Sequence, residues 1–314
     1  MKIGIIGFGS IGKRHWENLR PHGADIVVLT KRADVDAVAT VSAWEDFVKR
    51  GPYDAIFITN ETAKHEETIS RCIELAPKAI FVEKPLWHKS AGLEELSAQL
   101  KDRSISVWVG YNFQFFAPFL RIKEVVRSGI LGDIYYVRAS VGQDLSEWRA
   151  RDYRLCYSSQ KEGGGGVMLD LVHDINYPAW LLGEKLRAEA CVMRRVSDLG
   201  IDVEDCVESI FSAGSGTIVS VHQDYVRVPY KRSLEIVGSE ASVCWDTDTQ
   251  TVVVSNRKKE ALISEKIVVD RNEMYKKEIE FFLEALRGNI YFSNVDEAIR
   301  DVRLIEALKA YANQ

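Results

Sequence analysis

The 314-residue chain is 46% hydrophobic, long and apolar enough for two ordinary domains, which excludes a disordered polymer. With 46 acidic against 41 basic residues, a net charge of −5 and no long run of either sign, it lacks the electrostatic footprint of a nucleic-acid binder. Its five scattered cysteines show no C-x-x-C spacing, so reduced thiols and no metal site are expected. No apolar run approaches the ~20 residues of a membrane span, and Lys2 opens a strand where a signal region would be apolar, so a cytoplasmic location without membrane attachment is expected.

From Met1 to about Ala117, β-rich runs (KIGIIG, DIVVLT, DAIFIT, AIFVE, VWVGY) alternate with polar amphipathic stretches, the pattern of βαβ units around a parallel sheet. The first run leads into Gly7-Phe8-Gly9-Ser10-Ile11-Gly12 and then a helix. In that context the G-x-G-x-x-G spacing makes a dinucleotide cradle. The first glycine turns the chain, the second admits a pyrophosphate, the third lets helix and strand pack, and the helix N-terminus offers free N–H groups. The next strand ends in Thr30, Lys31 and Arg32, where an NAD-specific site carries a carboxylate for the ribose hydroxyls. Two cations there favour the 2′-phosphate of NADP over NAD, with solvated loop charges as the competing explanation.

AIFVE brings Glu83-Lys84-Pro85 to the carboxyl end of a buried strand, the end where doubly wound sheets bind ligands. Pro85 restricts Lys84 to an extended backbone. A lysine so placed can hold a substrate hydroxyl and stabilise a developing alkoxide, although this segment alone reads equally as a lysine after an edge strand.

A helix near Phe119 to Gly129 precedes the longer alternating runs IYYVRASV, EACVMRRV, CVESIFSA and TIVSVHQDYV, which predict a second, mainly antiparallel sheet. The chain therefore reads as α/β: residues 1–118 an N-terminal Rossmann doubly wound parallel sheet, residues 119–314 a C-terminal α+β domain with a large open sheet for substrate and oligomerisation. The stretch from 143 to 161 gathers Trp148, Arg149, Arg151, Tyr153, Arg154 and Tyr157. Arginine forks suit carboxylate or phosphate and aromatic rings stack on sugars, so a substrate role competes with an ordered interface loop. After Gly163 to Gly166, one helix is expected from about Val167 to Leu182, with Asp170, His173 and Tyr177 on its polar stripe. In HQDYVRVPYKR, Asp224, Tyr225, Arg227 and Arg232 either line a cleft or face solvent at a sheet edge. An amphipathic helix follows from Asn294 to Gln314.

Taken in order, GFGSIG, DAIFITNETAKHEE, FVEKPL, VGYNFQF and GGGGVMLDLVHDINY resemble the Gfo/Idh/MocA family of oxidoreductases over essentially the whole chain. The resemblance implies Lys84, His173 and Asp170 as the catalytic set, either Lys84 or His173 being the base and Asp170 orienting it or binding a hydroxyl. It implies cofactor contacts from Thr59, Asn60, His65, Glu83, Lys84 and Asn112 besides the glycine loop and Thr30 to Arg32. Substrate contacts are expected from Lys84, Trp148, Arg149, Arg151, Tyr153, Tyr157, Asp170 and His173.

The implied reaction is hydride transfer between nicotinamide and a sugar carbinol carbon; a cofactor-recycling sugar lyase or hydrolase and a non-enzymatic sensor are the alternatives. The WR…DYR…YS…KE…GGG stretch resembles a branch associated with surface-glycan pathways, which points to an acidic or nucleotide-linked sugar. A homodimer or homotetramer is expected, through one apolar open face of the second sheet. The chain departs from the family pattern at Gln114, where Arg is frequent, at Asn60-Glu61, where Thr-Pro is common, and at Asp174 and Asn176 of HDIN, where HEID is common.

Overall fold

The computed structural model describes residues 1–33, 35, 39–148 and 152–312, which form two compact units. One comprises Met1–Gly110 and Tyr275–Val302; the other comprises Tyr111–Met274 and the segment from Arg303 on. The chain crosses between them near 110, near 275 and within its last helix, so the pattern change near 118 marks one of three crossings.

The first unit opens with β1 (Lys2–Ile6), α1 (Ser10–Leu19), β2 (Asp25–Leu29), β3 (Ala39–Val41) and α2 (Trp44–Arg50). It continues through β4 (Ala55–Ile58), α3 (His65–Ile73), β5 (Ala79–Val82), α4 (Leu93–Asp102) and β6 (Ser106–Val109). The strands form a parallel sheet in the order β3-β2-β1-β4-β5-β6. Every residue of β4, β5 and β6 is buried, as in parallel strands covered on both faces, which is why these segments read as unbroken apolar runs. Leu29, Ile6, Ile58, Val82 and Val109 stand side by side in register. The residues that follow them, from Thr30 to Gly110, therefore share one carboxyl edge.

The second unit holds α5 (Ala117–Arg127), β7 (Ile134–Gly142), α6 (Val167–Asp170), α7 (His173–Leu182), β8 (Leu186–Arg194) and β9 (Cys206–Ala213). Then come β10 (Ile218–Asp224), β11 (Lys231–Gly238), β12 (Ala241–Asp246), β13 (Thr251–Asn256) and β14 (Ala261–Lys266). These strands form an eight-stranded sheet ordered β14-β13-β12-β11-β7-β10-β9-β8, antiparallel except where β7 meets β10. Burial alternates along β11 and most of its neighbours, and α7 packs on β7 and β10 while α5 packs on β12 and β13. The opposite, less buried positions of β7 and β11 are Tyr136, Arg138, Ser140, Lys231, Ser233, Glu235 and Val237, so the expected apolar open face is mostly polar there.

Helices α8 (Glu273–Arg287) and α9 (Val295–Ala312) complete the chain's described elements. In the first unit, α8 buries Ile279, Phe282 and Leu283, and Phe282 meets Phe57 and Phe81 edge-on. Those two rings stack on each other at 4.7 Å, an aromatic cluster contributing about 0.5–1.5 kcal/mol per pair beyond its buried area.

The single helix expected from Val167 to Leu182 is two helices. Leu171 and Val172 form a turn between α6 and α7, with Leu171 at φ −100° and ψ 28°. Asp170 and His173 therefore end one helix and start the next. Nor is their side polar toward solvent: Asp170, His173 and Tyr177 are all buried, as is most of α7.

Candidate active site

The first unit presents the glycine loop at the end of β1. Gly7 needs its missing side chain, since φ is +93° and a Cβ would lie 2.7 Å from the Asn60 backbone nitrogen. Gly9 has no such need: a Cβ there would meet nothing within 4 Å. The open space leaves its backbone accessible to a ligand such as a pyrophosphate at the head of a helix. Asn60 Oδ1, buried at the same sheet edge, has no partner among the described residues, while its Nδ2 donates to Thr68 Oγ1 at 2.8 Å. The residues present thus fit a dinucleotide, with the loop from Gly7 to Gly12 holding phosphates and Asn60 free to meet a ribose. In Gly9→Ala the ligand-free protein should melt at the wild-type temperature while NADH binding weakens; a variant that binds NADH like wild type in a thermal-shift titration would remove the cradle.

Thr30, Lys31 and Arg32 follow β2 at this edge. The Arg32 guanidinium donates to the Phe8 carbonyl at 3.3 Å, which draws it over the glycine loop. Together with Lys49 and Arg50 of α2, Lys31 and Arg32 line an open cavity of about 540 Å³ whose acidic lining residue is Asp46, already bridged to Lys49 at 3.2 Å. Lys49 and Arg50 are cations that reading β2 alone does not find.

Several of the other residues expected to touch the cofactor have protein partners of their own. Thr59 is buried and its hydroxyl donates to the Gly7 carbonyl at 2.8 Å, bracing the turn from behind. His65 is buried with Nδ1 3.0 Å from the Pro85 carbonyl and Nε2 3.2 Å from the Asn60 carbonyl, and burial holds its pKa below the ordinary value. Glu83 takes its partner from α1, His15 Nε2 donating to Oε1 at 2.6 Å. Lys84 lies partly exposed in a bend, and its bond to Pro85 is cis, where the sequence suggests a plain extension of the strand.

In the second unit, His173 starts α7 between the rings of Phe113, at 5.0 Å, and Tyr111, at 6.1 Å. Tyr225 is fully buried and its hydroxyl donates to Asp170 Oδ2 at 2.7 Å, fixing that carboxylate. Burial and the Asp170 charge push the Tyr225 phenol well above its usual range, so it remains a donor. Asn112 is buried close by in sequence to both rings, with Oδ1 unpartnered among the described residues. Gln114 donates to Asn176 Oδ1 at 3.2 Å, so the two departures from the family pattern pair with each other.

Beneath α7 lies an ion pair that sequence reasoning did not identify. Arg232 of β11 donates twice to Asp174, from Nε to Oδ1 at 3.0 Å and from Nη2 to Oδ2 at 2.8 Å. Tyr177 adds a donor to Asp174 at 2.7 Å, and the guanidinium sits 4.2 Å from the Phe113 ring centre. Neither Arg232 nor Tyr225 faces solvent at a sheet edge, because β10 and β11 are interior strands.

The loop expected to bind substrate is less uniform. Trp148 packs edge-on against Tyr225 at 5.1 Å, and its indole nitrogen is buried without a partner among the described residues. Tyr153 donates its hydroxyl to the Leu199 carbonyl at 2.9 Å, a role in holding the loop. Tyr157 lies against Gly163 and Gly165, and Gly166, at φ +115°, leaves room for the Glu204 carboxylate, which a Cβ would approach to within 2.4 Å. Arg149 and Arg151 lie outside the described residues. Among the described residues, no three His, Cys, Asp or Glu side chains gather as a metal site, and no helix is long and apolar enough to cross a membrane.

Comparison with known proteins adds to this geometry. Residues 1–111 match the family model described as an oxidoreductase family, NAD-binding Rossmann fold, and residues 119–244 match the GFO/IDH/MocA C-terminal domain. Among curated relatives, myo-inositol 2-dehydrogenase of Thermotoga maritima is 25% identical over 322 residues, covering 96% of this chain and 88% of that protein. Among solved structures, levoglucosan dehydrogenase in complex with NADH and L-sorbose matches with a TM-score of 0.87 at 18% identity, covering 100% of this chain and 97% of the other. The WlbA dehydrogenase from Bordetella pertussis, in complex with NADH and UDP-GlcNAcA, matches with a TM-score of 0.82 at 17% identity, covering 100% and 98%. The two structural likenesses establish the shared fold.

Proposed function

Because the chain belongs to the Gfo/Idh/MocA family of oxidoreductases, with an NAD-binding Rossmann domain, we propose that it transfers a hydride between nicotinamide and a hydroxyl-bearing carbon of a sugar. The observation that carries this reading is the shared carboxyl edge of the first sheet, where the open glycine cradle after β1 and Lys84 after β5 stand two strands apart. The cofactor, when bound, supplies or accepts the hydride. Lys84 holds the reacting hydroxyl and stabilises charge on its oxygen. His173, buried beside Phe113 and Tyr111, exchanges the hydroxyl proton, and Asp170, fixed by Tyr225, orients the base or binds a sugar hydroxyl. An acidic or nucleotide-linked sugar is part of the proposal, supported by the UDP-GlcNAcA held in the WlbA complex. Assembly as a homodimer or homotetramer is also part of it.

We further infer NADP as the preferred cofactor. Lys31, Arg32, Lys49 and Arg50 around one cavity supply cations for a 2′-phosphate, and the end of β2 has no carboxylate for a free ribose diol. Titration of intrinsic fluorescence should show NADPH binding about tenfold tighter than NADH, a difference of about 1.4 kcal/mol, and Lys31→Ala with Arg32→Ala should erase it. Equal affinities, or tighter NADH, would end this part. Turnover of a sugar panel followed at 340 nm tests the reaction itself: product formed without net absorbance change would mean that the hydride is returned, and no sugar-dependent change of either kind would remove the dehydrogenase reading.

A further inference from the structure

Two buried histidines grip the turn that carries Lys84, one on each side. On the near side, His15 of α1 is fully buried, packed against Phe81 at 4.8 Å and Phe57 at 5.4 Å, and donates to Glu83. Glu83 is itself buried, its backbone N–H bound to the Ile58 carbonyl. A carboxylate removed from water requires a partner of this kind, so the contact fixes the residue immediately before Lys84. On the far side, the His65 ring of α3 lies between the Pro85 and Asn60 carbonyls, its Nδ1 3.0 Å from one and its Nε2 3.2 Å from the other, so its ring N–H can serve one of the two at a time. Lys84 is thus flanked by two anchors in sequence, and each anchor leads back to the nucleotide site. His15 lies three residues beyond Gly12 on the helix that the glycine loop opens, and Asn60 follows Thr59, which braces Gly7.

We propose that His15 and His65 are positioning residues for Lys84, coupling the placement of its ammonium group to the loop and helix that hold the cofactor. The proposal rests on the reading of Lys84 given above, but its physical content is separate: the two rings set where the Lys84 backbone stands relative to Gly7 and Asn60. Among the described residues, α8 also brings titratable side chains to this cluster. Glu278 is buried, accepts from the Trp108 indole at 2.9 Å, and is pushed well above the carboxylate range by burial, and the Tyr275 ring lies 6.4 Å from that of His15.

The test compares wild type, His15→Leu and His15→Gln, the last retaining a donor at the end of its side chain. Two readouts are needed: steady-state turnover with NADPH, and the pH profile of reductive methylation at Lys84, read by mass spectrometry without cofactor or substrate. His15→Leu should lower kcat by about 10- to 100-fold, the order expected when a reacting group is displaced by about 1 Å. It should also shift the Lys84 labelling profile and leave NADH affinity unchanged, while His15→Gln recovers most of the turnover and the profile. His65→Leu should move both readouts in the same direction.

A folded His15→Leu protein with wild-type turnover and labelling overturns the proposal. Should that variant not fold, Glu83→Gln decides, because it keeps the shape and a neutral acceptor for His15 while weakening the contact. A shifted Lys84 profile with reduced kcat supports the coupling, and an unchanged pair of readouts overturns it. Failure of the catalytic reading would look different, since Lys84→Ala would then retain turnover whatever the labelling of Lys84 reports.

Discussion

Replacing Lys84 by alanine is expected to lower kcat by about 10²–10⁴-fold, the usual contribution of a positioned acid or base, with NADPH binding retained. The expectation rests on its surroundings more than on its identity. β5 is buried throughout, Glu83 is tied to His15, and Pro85 is tied to His65, so the lysine is presented at the sheet's carboxyl edge by groups that cannot easily shift. Lys84→Arg keeps the charge but spreads it over a planar fork, and should recover little. Stopped-flow measurement of the hydride step separates this from slow product release. A Lys84→Ala enzyme that keeps more than about a tenth of the wild-type rate would take Lys84 out of the mechanism.

The second large effect concerns stability. In Arg232→Met, Asp174 would remain fully buried with the Tyr177 hydroxyl as its remaining partner of the set described above, a loss of about 3–5 kcal/mol by the precedent of broken buried pairs. Burial opposes the charge of Arg232, and the Asp174 carboxylate with its neighbours overrides that, holding the guanidinium above its ordinary pKa. Scanning calorimetry should place the midpoint about 6–20 °C lower. Because Asp174 follows His173 in the first turn of α7, turnover at low temperature should fall as well. The double variant Asp174→Leu with Arg232→Met should regain much of the stability, since a matched apolar pair incurs no charge-burial cost. A single Arg232→Met variant that melts with wild type would mean that solvent reaches Asp174.

What could be read in advance was local. The strand, Gly7 to Gly12 and the following helix lie within twenty residues, and the chemistry of each glycine follows from that context. The place of Lys84 before Pro85 at the end of β5 was legible for the same reason, and the family resemblance is what proposes Asp170 and His173 as its partners. Contacts between distant positions were not legible. His15 meets Glu83 across 68 positions and Arg232 meets Asp174 across 58. A partial signal existed for His15: with Gly12 and Leu19 it falls on the buried face of α1, and a histidine there needs an internal partner. The break at Leu171 and Val172 has no glycine or proline to announce it. Thr59 and His65 were expected at the ligand from their place in a motif, and the contacts their side chains make with the surrounding backbone could not be read from it.

The return of residues 275–302 to the first unit bears on how the protein is made. The stretch contributes Phe282 to the Phe57 and Phe81 cluster, Glu278 to the Trp108 indole, and Asn294, whose amide bridges the backbone of Val109 in both directions. On the ribosome, β1 to β6 emerge well before these side chains, which follow the whole of the second unit's sheet in the chain. The nucleotide-binding half thus begins to emerge first yet receives its last contacts only after the second unit's sheet has been translated, so a chaperone guarding nascent chains would meet it incomplete for most of that time.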